Sequence, residues 1–595
     1  MNAPLTPMPT DAGPTRPSRG RGSSVGPLLV LAAVVAVFLL RTGPSVREYA
    51  QTVDETYHVG AAVSYLEART LVLGVQHPPL GRLPAAAVAW AMGARLPEYA
   101  GATTSRREDV AYAAGTQVLL SRDANWYWRL LGAMRWSMLV WGVVALVYAY
   151  LLGRFVAGPW AGAAAATLLS LDTTLLGHAL WVCTDVAAAA GFLAALYHGL
   201  KWVERPTWGR AAAAGVAGGL AVGLKFTAGL ALPALLLALA VVGLARWRGA
   251  RVTSAASGPS VCAADLPGAG AVRRAVQLPA IVLVSLLVLW GLYKFHVGPL
   301  GDSDTLASAP QWQRLPAWVK ETPLPMPSLW IGLGRLAAHS ATGSDAYLFG
   351  QTRPDGFWYY FPVLITYKTP VALLAVLLVS AILAFEPRTR SVWVVAGLVV
   401  PAGVYLAVSM AGSVQIGIRH VLPLLAVLYV LAGAVMTRSA SRVTLLLAAV
   451  ALAAAETLPR HPDYLAFFNQ LARTGGQDER IAADSNLDWG QDLARLARRV
   501  AAEPALAAEL SAVYPLGDRQ APLFRVLGLD AALIDAPPRP GSLVAVSVTR
   551  RILDRDRLRF IAAAAEVERV GRGIVLYRMP PGRLPPPSVP AREPF

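Results

Sequence analysis

Asp54 and Glu55, with His58 one helical turn later, are the first groups in the chain able to move a proton. His77 follows in HPPLGR, where Pro78 and Pro79 fix the chain direction and Arg82 closes the segment. Such an acidic pair has two readings: the solvated start of a helix, or a general base with its partner. An acid pair held near a rigid turn at a bilayer surface suits general base catalysis on a lipid-borne substrate. It could also recruit a divalent metal, although the chemistry does not require one.

Further ionisable groups lie at the ends of apolar runs. Asp172, His178 and Asp185 interrupt alanine-rich stretches, where ionisable groups are expensive and are functional candidates by default. Arg135, Lys225 in GLKFTAG, Lys368 in ITYKTP, and Arg419 with His420 in GIRHVLP supply cations at other run ends. Taken singly, each fits a side chain snorkelling to the headgroups. Together they are what a phosphate leaving group needs as negative charge builds on it. Aromatic residues crowd Phe357–Phe361, and Trp489 follows Asp488 near the C-terminal end, fitting either a membrane belt or a surface that stacks on sugar rings.

These groups need a scaffold, and the composition says which kind. The 595 residues are 55% hydrophobic with mean hydropathy +0.47, so the chain is polytopic in a membrane. Its net charge of +17 fits topology and anionic lipid headgroups, with no nucleic-acid partner expected, because much of the arginine lies between apolar runs. Five lysines stand among 53 basic residues, so each position that keeps lysine draws notice. The two cysteines, Cys183 in an apolar run and Cys262 in a polar loop, show no ligand spacing and point away from a disulfide.

The predicted fold is mainly α, a polytopic helical bundle with a small C-terminal α/β domain. Residues 1–26 form a disordered cytoplasmic tail, and 27–40 a retained first helix. Further spans are expected at 134–152, 159–178, 184–200, 210–226, 227–245, 277–296, 361–385, 391–411, 417–436 and 443–457, giving about eleven within a membrane domain of 27–457. Residues 44–128 and 298–360 are its large external loops. The helix at 80–92 is taken not to cross, because Arg154, Lys201–Arg210, Arg246–Arg274, Arg388 with Arg390, and Arg438 with Arg442 then all fall on the cytoplasmic side. Residues 458–580 form the external domain, with strands at 543–548 and 573–578, and 581–595 a disordered end.

DExxH followed about twenty residues later by HPPLG resembles the first external loop of the family 39 glycosyltransferases, which include the protein O-mannosyltransferases and bacterial relatives. FGQTRPDGFWYYFPVLITYKTP, GIRHVLP and HPDYLAFFNQLARTGGQDERIAADSNLDWGQDL are similar to segments of a bacterial, phospholipid carrier-dependent subgroup. The resemblance covers most of residues 27–500. It implies a GT-C fold, a polyprenyl-phosphate sugar as donor, Asp54 as catalytic base with Glu55 in support, and His77 near the sugar phosphate. The family's mannosyltransferases carry lysine where this chain has Arg82, and they insert a folded domain in the later loop, which in this chain is short. The acceptor, whether protein, glycan or lipid, is therefore not carried over.

The expected function is transfer of a hexose, mannose in the family it resembles, to an acceptor hydroxyl on the outer face of a bacterial cytoplasmic membrane, with inversion. His58, His77, Arg82, Arg135, Asp185, Lys225, Lys368, Arg419, His420, Asp488 and Trp489 are the expected substrate-binding residues, and membrane lipids surround the site. A transporter or flippase of lipid-linked sugars would also use intramembrane charges, and a non-catalytic scaffold would use the tail domain.

Overall fold

The structure is a computed structural model that describes residues 25–68, 71, 73–96, 108–253, 268–300, 312, 314–384, 392–473 and 478–582. The expectations for residues 1–24, 254–267 and 583–595 fall outside them, as does Cys262. Cys183 is buried and free.

Among the described residues, eight helices are long and apolar enough to cross a membrane: Val25–Arg47, Ala124–Ala157, Asp185–Glu204, Phe226–Leu244, Val272–Leu292, Val394–Ala411, Ile418–Met436 and Ala440–Arg460. Each corresponds to one of the eleven expected segments. The other three differ for local reasons. Residues 360–383 form two helices, Tyr360–Lys368 and Val371–Leu383, bent by 119°. Pro370 lacks an amide donor and holds Thr369 in an extended conformation, which ends the first helix there. Residues 159–178 break into Pro159–Ser170 and Thr173–His178, and Trp208–Leu224 has 17 residues. The count by length and composition is therefore eight, or nine if the bent pair is one span. Leu83–Ala91, at nine residues, is about 14 Å long and too short to cross.

The helix that carries the acidic pair, Val53–Glu67, lies against Glu108–Leu120 at very close range. A Cβ on Gly60 would stand 2.3 Å from the Ala111 carbonyl oxygen, and one on Gly115 would stand 1.7 Å from that of Thr56. Only glycine lets these backbones touch, and that packing fixes the height of the helix.

The described strands form three sheets. The first two are small antiparallel pairs: β1 (Val297–Gly298) with β2 (Leu324–Pro325), and β3 (Ala346–Leu348) with β4 (Gln351–Arg353). The third is a four-stranded C-terminal sheet of β5 (Leu510–Tyr514), β6 (Leu543–Ser547), β7 (Ala565–Val570) and β8 (Ile574–Arg578) in the order β5-β6-β8-β7. β5 and β6 run parallel, and the other two pairings are antiparallel. Every residue of β5 and β6 is buried, as expected for strands covered on both faces.

The C-terminal domain is continuous with the bundle. Leu493, Phe524 and Leu576 share a core with Val59, Leu130, Met134 and Val182. The Ala50 and Val53 amides donate to the carbonyls of Gln491 and Trp489 at 3.0 and 3.2 Å, so the tail grips the chain just before Asp54.

Candidate active site

Thr52 caps the helix Val53–Glu67 in a reciprocal capping box with Glu55: the Thr52 amide donates to Glu55 Oε2 at 2.9 Å, and the Glu55 amide donates to Thr52 Oγ1 at 3.4 Å. This arrangement turns Glu55 inward. Arg135 donates Nε to Oε1 at 2.9 Å and Nη2 to Oε2 at 2.6 Å, and the Val182 amide adds a bond to Oε1 at 3.0 Å. Arg135 spends its remaining donors on the carbonyls of Val46, Tyr49 and Ala50. Neither side chain of the pair is exposed at all. Glu55 and Arg135 are thus saturated and anchor the loop to the helix Ala124–Ala157. Glu55 therefore stands in support of the loop that carries Asp54, and all of Arg135's donors are engaged in holding that loop.

Asp54, the preceding residue, points the other way. Its Oδ2 accepts from both Nη1 and Nη2 of Arg419 at 3.1 Å. Arg419 Nη1 also approaches Asp185 Oδ2 at 3.4 Å, and Lys225 Nζ donates to Asp185 Oδ1 at 2.6 Å. The result is an alternating row of charge, Asp54, Arg419, Asp185, Lys225. It is assembled from a helix N-terminus, a short turn before Leu422–Met436, the first residue of Asp185–Glu204, and the C-cap of Trp208–Leu224. Along the row, side-chain exposure is 30% at Asp54, 5% at Arg419, 5% at Asp185 and 14% at Lys225. Asp54 is its open end.

Trp489 supports the row from the tail domain, with the Arg419 guanidinium 4.0 Å from its ring centroid. Trp489 meets Trp181 edge to face at 6.4 Å, and Arg135 covers Trp181 at 4.6 Å. The two arginines therefore share one stack, which couples the anchored pair to the open one.

His58 and His77 lie 4.9 Å apart, between Tyr57 and the row. Burial, reinforced by the positive fields of Lys225 and Arg82, pushes His77 down to about 3, and burial also holds His58 well below the usual imidazole range. Both rings are neutral at ordinary pH, so they offer hydrogen bonds and no positive charge. His420 lies within the fields of Lys225, Arg419 and Asp185. Arg82 is fully buried and donates Nη2 to the carbonyls of Gly74 and His77 at 2.8 and 3.0 Å. Gly74 has φ +66, and a Cβ there would meet the Arg82 Nη1 at 2.8 Å, so the turn is built to admit this guanidinium. Arg82 shapes the HPPLGR turn through its Nη2.

Lys368 and Asp488 also stand apart from the row. Lys368 Nζ donates to the carbonyls of Leu465 and Asn486 and lies 4.4 Å from the Phe468 ring centroid, contacts that fix the bent helix pair to the tail. Asp488 accepts from Ser547 Oγ at 2.5 Å and from the amides of Gly490 and Thr549, tying the tail segment to β6. Asp172 caps Thr173–His178 through the amides of Thr174 and Leu175, and Tyr429 donates to its other oxygen at 2.7 Å. His178 bonds the Thr174 carbonyl and lies 6.1 Å from Trp489.

One neighbour of the site had no separate signal in the sequence. Asp484 sits at φ +60 and feels the charges of both Arg419 and Asp54. Burial raises its carboxyl to about 7 against the pull of Arg419. It lies in the DSN of the C-terminal run, and aspartate is among the residues that tolerate a left-handed backbone.

Among the described residues no group of three or more His, Cys, Asp or Glu side chains is placed to hold a metal ion. Asp54 and Asp185 have oxygens engaged by Arg419 and Lys225, which does not fit a metal ligand set.

Residues 130–258 match the family described as dolichyl-phosphate-mannose-protein mannosyltransferase. That stretch contains Arg135, Asp172, His178, Asp185 and Lys225. No curated protein sequence matches the chain. Solved structures with some likeness include ArnT from Cupriavidus metallidurans bound to undecaprenyl phosphate, 13% identical with a TM-score of 0.43, covering 93% of this chain and 98% of that one. The AglB oligosaccharyltransferase from Archaeoglobus fulgidus, in complex with an inhibitory peptide and a dolichol-phosphate, is 14% identical with a TM-score of 0.45, covering 88% and 70%. The Pmt1-Pmt2 protein O-mannosyltransferase complex of S. cerevisiae, bound to the sugar donor, is 16% identical with a TM-score of 0.31, covering 46% and 34%. Each TM-score is below 0.5, a level of likeness from which no residue role follows.

Proposed function

We propose that this chain, related through residues 130–258 to the dolichyl-phosphate-mannose-protein mannosyltransferases, is a membrane glycosyltransferase that takes a hexose from a polyprenyl-phosphate carrier. The acceptor is a hydroxyl group presented on the outer side of a bacterial cytoplasmic membrane. The observation that carries the proposal is the row Asp54, Arg419, Asp185, Lys225, with its one open carboxylate.

In the unliganded site Arg419 and Lys225 already have partners within the row. A donor phosphate entering from the bilayer competes for their hydrogens and, as it takes those of Arg419, returns a lone pair to Asp54. Asp54 then accepts the proton of the acceptor hydroxyl. The hydroxyl oxygen bonds to the anomeric carbon as the bond from that carbon to the phosphate oxygen breaks, so the configuration inverts. The electron pair leaves with the lipid phosphate, and Arg419 and Lys225 stabilise its added charge. Glu55, through Arg135, holds the loop that presents Asp54, and Trp489 holds the Arg419 plane.

The test is transfer from a radiolabelled polyprenyl-phosphate hexose by the full chain in detergent. Asp54→Asn keeps the helix start and removes the base, so the rate is expected to fall about 100-fold or more. Undiminished transfer by this variant would show that Asp54 is not the base. A wild-type chain that moves no labelled sugar with any polyprenyl-phosphate hexose would overturn the proposal.

A further inference from the structure

A cavity of about 530 Å³ opens between the β3–β4 hairpin and the tail domain, lined by residues other than those of the charge row. Its walls carry Tyr347, Phe349, Arg480, Arg551, Arg555 and Glu479. Three guanidiniums against one carboxylate make it positive, and Glu479 is itself shared between Arg551 and Arg569. Arginine forks match phosphate and carboxylate oxygens two at a time. The volume lies within the roughly 300–1,000 Å³ of small-molecule sites.

Phe349 is the unexpected member. Leu348 pairs with Gln351, so Phe349 and Gly350 form a two-residue hairpin turn, with φ +50 and +81. Positive φ at both positions favours Asn, Asp or Gly, and a bulky side chain there is strained. Phe349 meets Tyr367 edge to face at 6.1 Å, yet 41% of it stays exposed and it lines the cavity, so packing accounts for only part of the ring. Strain of this kind is found where a side chain has work other than folding. An exposed phenyl face beside arginines matches a sugar, whose ring presents an apolar C–H face and whose substituents carry the charge.

A short stretch of backbone links the cavity wall to the neighbourhood of the charge row. The Phe349 amide donates to the Ile481 carbonyl at 3.1 Å, and Asp484, which feels Arg419 and Asp54, is three residues further on, at most roughly 10 Å along the chain.

We propose that this cleft binds an anionic glycan, a sugar chain bearing phosphate or carboxylate. On the transferase reading, on which this last step rests, the cleft seats the acceptor so that a neighbouring hydroxyl reaches Asp54. A lipid headgroup would use the same arginines but not the phenyl face.

The experiment titrates the full chain in detergent with mannobiose 6-phosphate, mannobiose, inorganic phosphate and phosphatidylglycerol micelles. The phosphorylated disaccharide is expected to bind at least tenfold more tightly than the other three. Phe349→Asn, which suits the turn, is expected to weaken it at least fivefold with an unchanged or raised unfolding temperature. Arg480→Ala with Arg555→Ala is expected to abolish the preference over plain mannobiose, with polyprenyl-phosphate binding unchanged. Equal binding of the two disaccharides, no effect of Phe349→Asn, or phosphatidylglycerol binding as tightly as the phosphorylated sugar would each overturn the assignment. If glycan binding behaves as expected while Asp54→Asn still transfers sugar, the cleft stands and the transfer mechanism falls.

Discussion

Removing the Glu55 carboxylate would leave Arg135 buried with no counter-charge, because its other partners are all carbonyls. Glu55→Gln is therefore expected to cost about 3–5 kcal/mol of stability, read as a lowered unfolding midpoint in detergent. Pairing it with Arg135→Met should recover part of the loss, because the buried charge goes as well. Asp54→Asn, by contrast, should leave the midpoint almost unchanged while transfer collapses. The family resemblance separated these adjacent acids in the sequence, but the partners that give them opposite roles were not legible there. What separates them is the Thr52 capping box, which needs the residue three positions after Thr52 to fold back, and an arginine 80 residues away. Arg419 was visible as a cation at a span end. That it bridges Asp54 and Asp185 depends on the packing of four elements and has no local signature.

At the level of elements, buried carboxylates tie the tail segment 484–492 to the rest of the tail domain. Asp492 accepts from the amides of Arg572 and Gly573 at 3.0 and 2.7 Å, and burial raises its carboxyl from 3.8 to about 7. A carboxyl whose folded value is raised contributes stability that is fully present below pH 3.8 and is lost as pH rises through about 7. Relative to wild type, Asp492→Asn should therefore gain stability between about pH 4 and 7, by a few kcal/mol at most, at about 1.4 per pH unit. Unfolding midpoints of the two chains across that range check the sign. The C-terminal strands at 543–547 and 574–578 were legible as short apolar runs. β5 was missed because LSAVY follows directly on the helix Pro504–Glu509. β7 was missed because AEVERV is charged and mostly exposed. The breaks at Asp172 and Pro370 were not expected, since the apolar runs continue through both and only the cap at one and the missing amide at the other end the helices.

The whole molecule is one machine in which the tail is part of the site. Trp489 lies against Arg419, the 489–491 backbone pairs with 50–53, and the tail shares a core with the bundle. A chain ending at residue 473 is accordingly expected to lose transfer altogether, and with it the cooperative unfolding of the bundle. A removable recognition module would leave donor hydrolysis intact, and hydrolysis of labelled donor by the shortened chain distinguishes the two cases. The membrane class and the general helix order were legible from hydropathy alone, because apolar length is a local property. Asp488 and Trp489 were expected at the site, but the pairing of 489–491 with 50–53 was not, because contacts between residues more than 400 positions apart leave no trace in composition.

The charge row has a consequence for how the enzyme finishes a turnover. On the proposed mechanism, its two cations are paired with Asp54 and Asp185 before any ligand arrives, so the spent lipid phosphate competes with two resident carboxylates for its grip. The protein carries its own displacing anions, and the site tends to reset itself to the empty form. Asp185→Asn removes one of these competitors. The variant is expected to retain polyprenyl phosphate severalfold longer than wild type and to turn over more slowly under excess donor. Single-turnover and steady-state rates, measured side by side, would show the first step spared and the release step slowed.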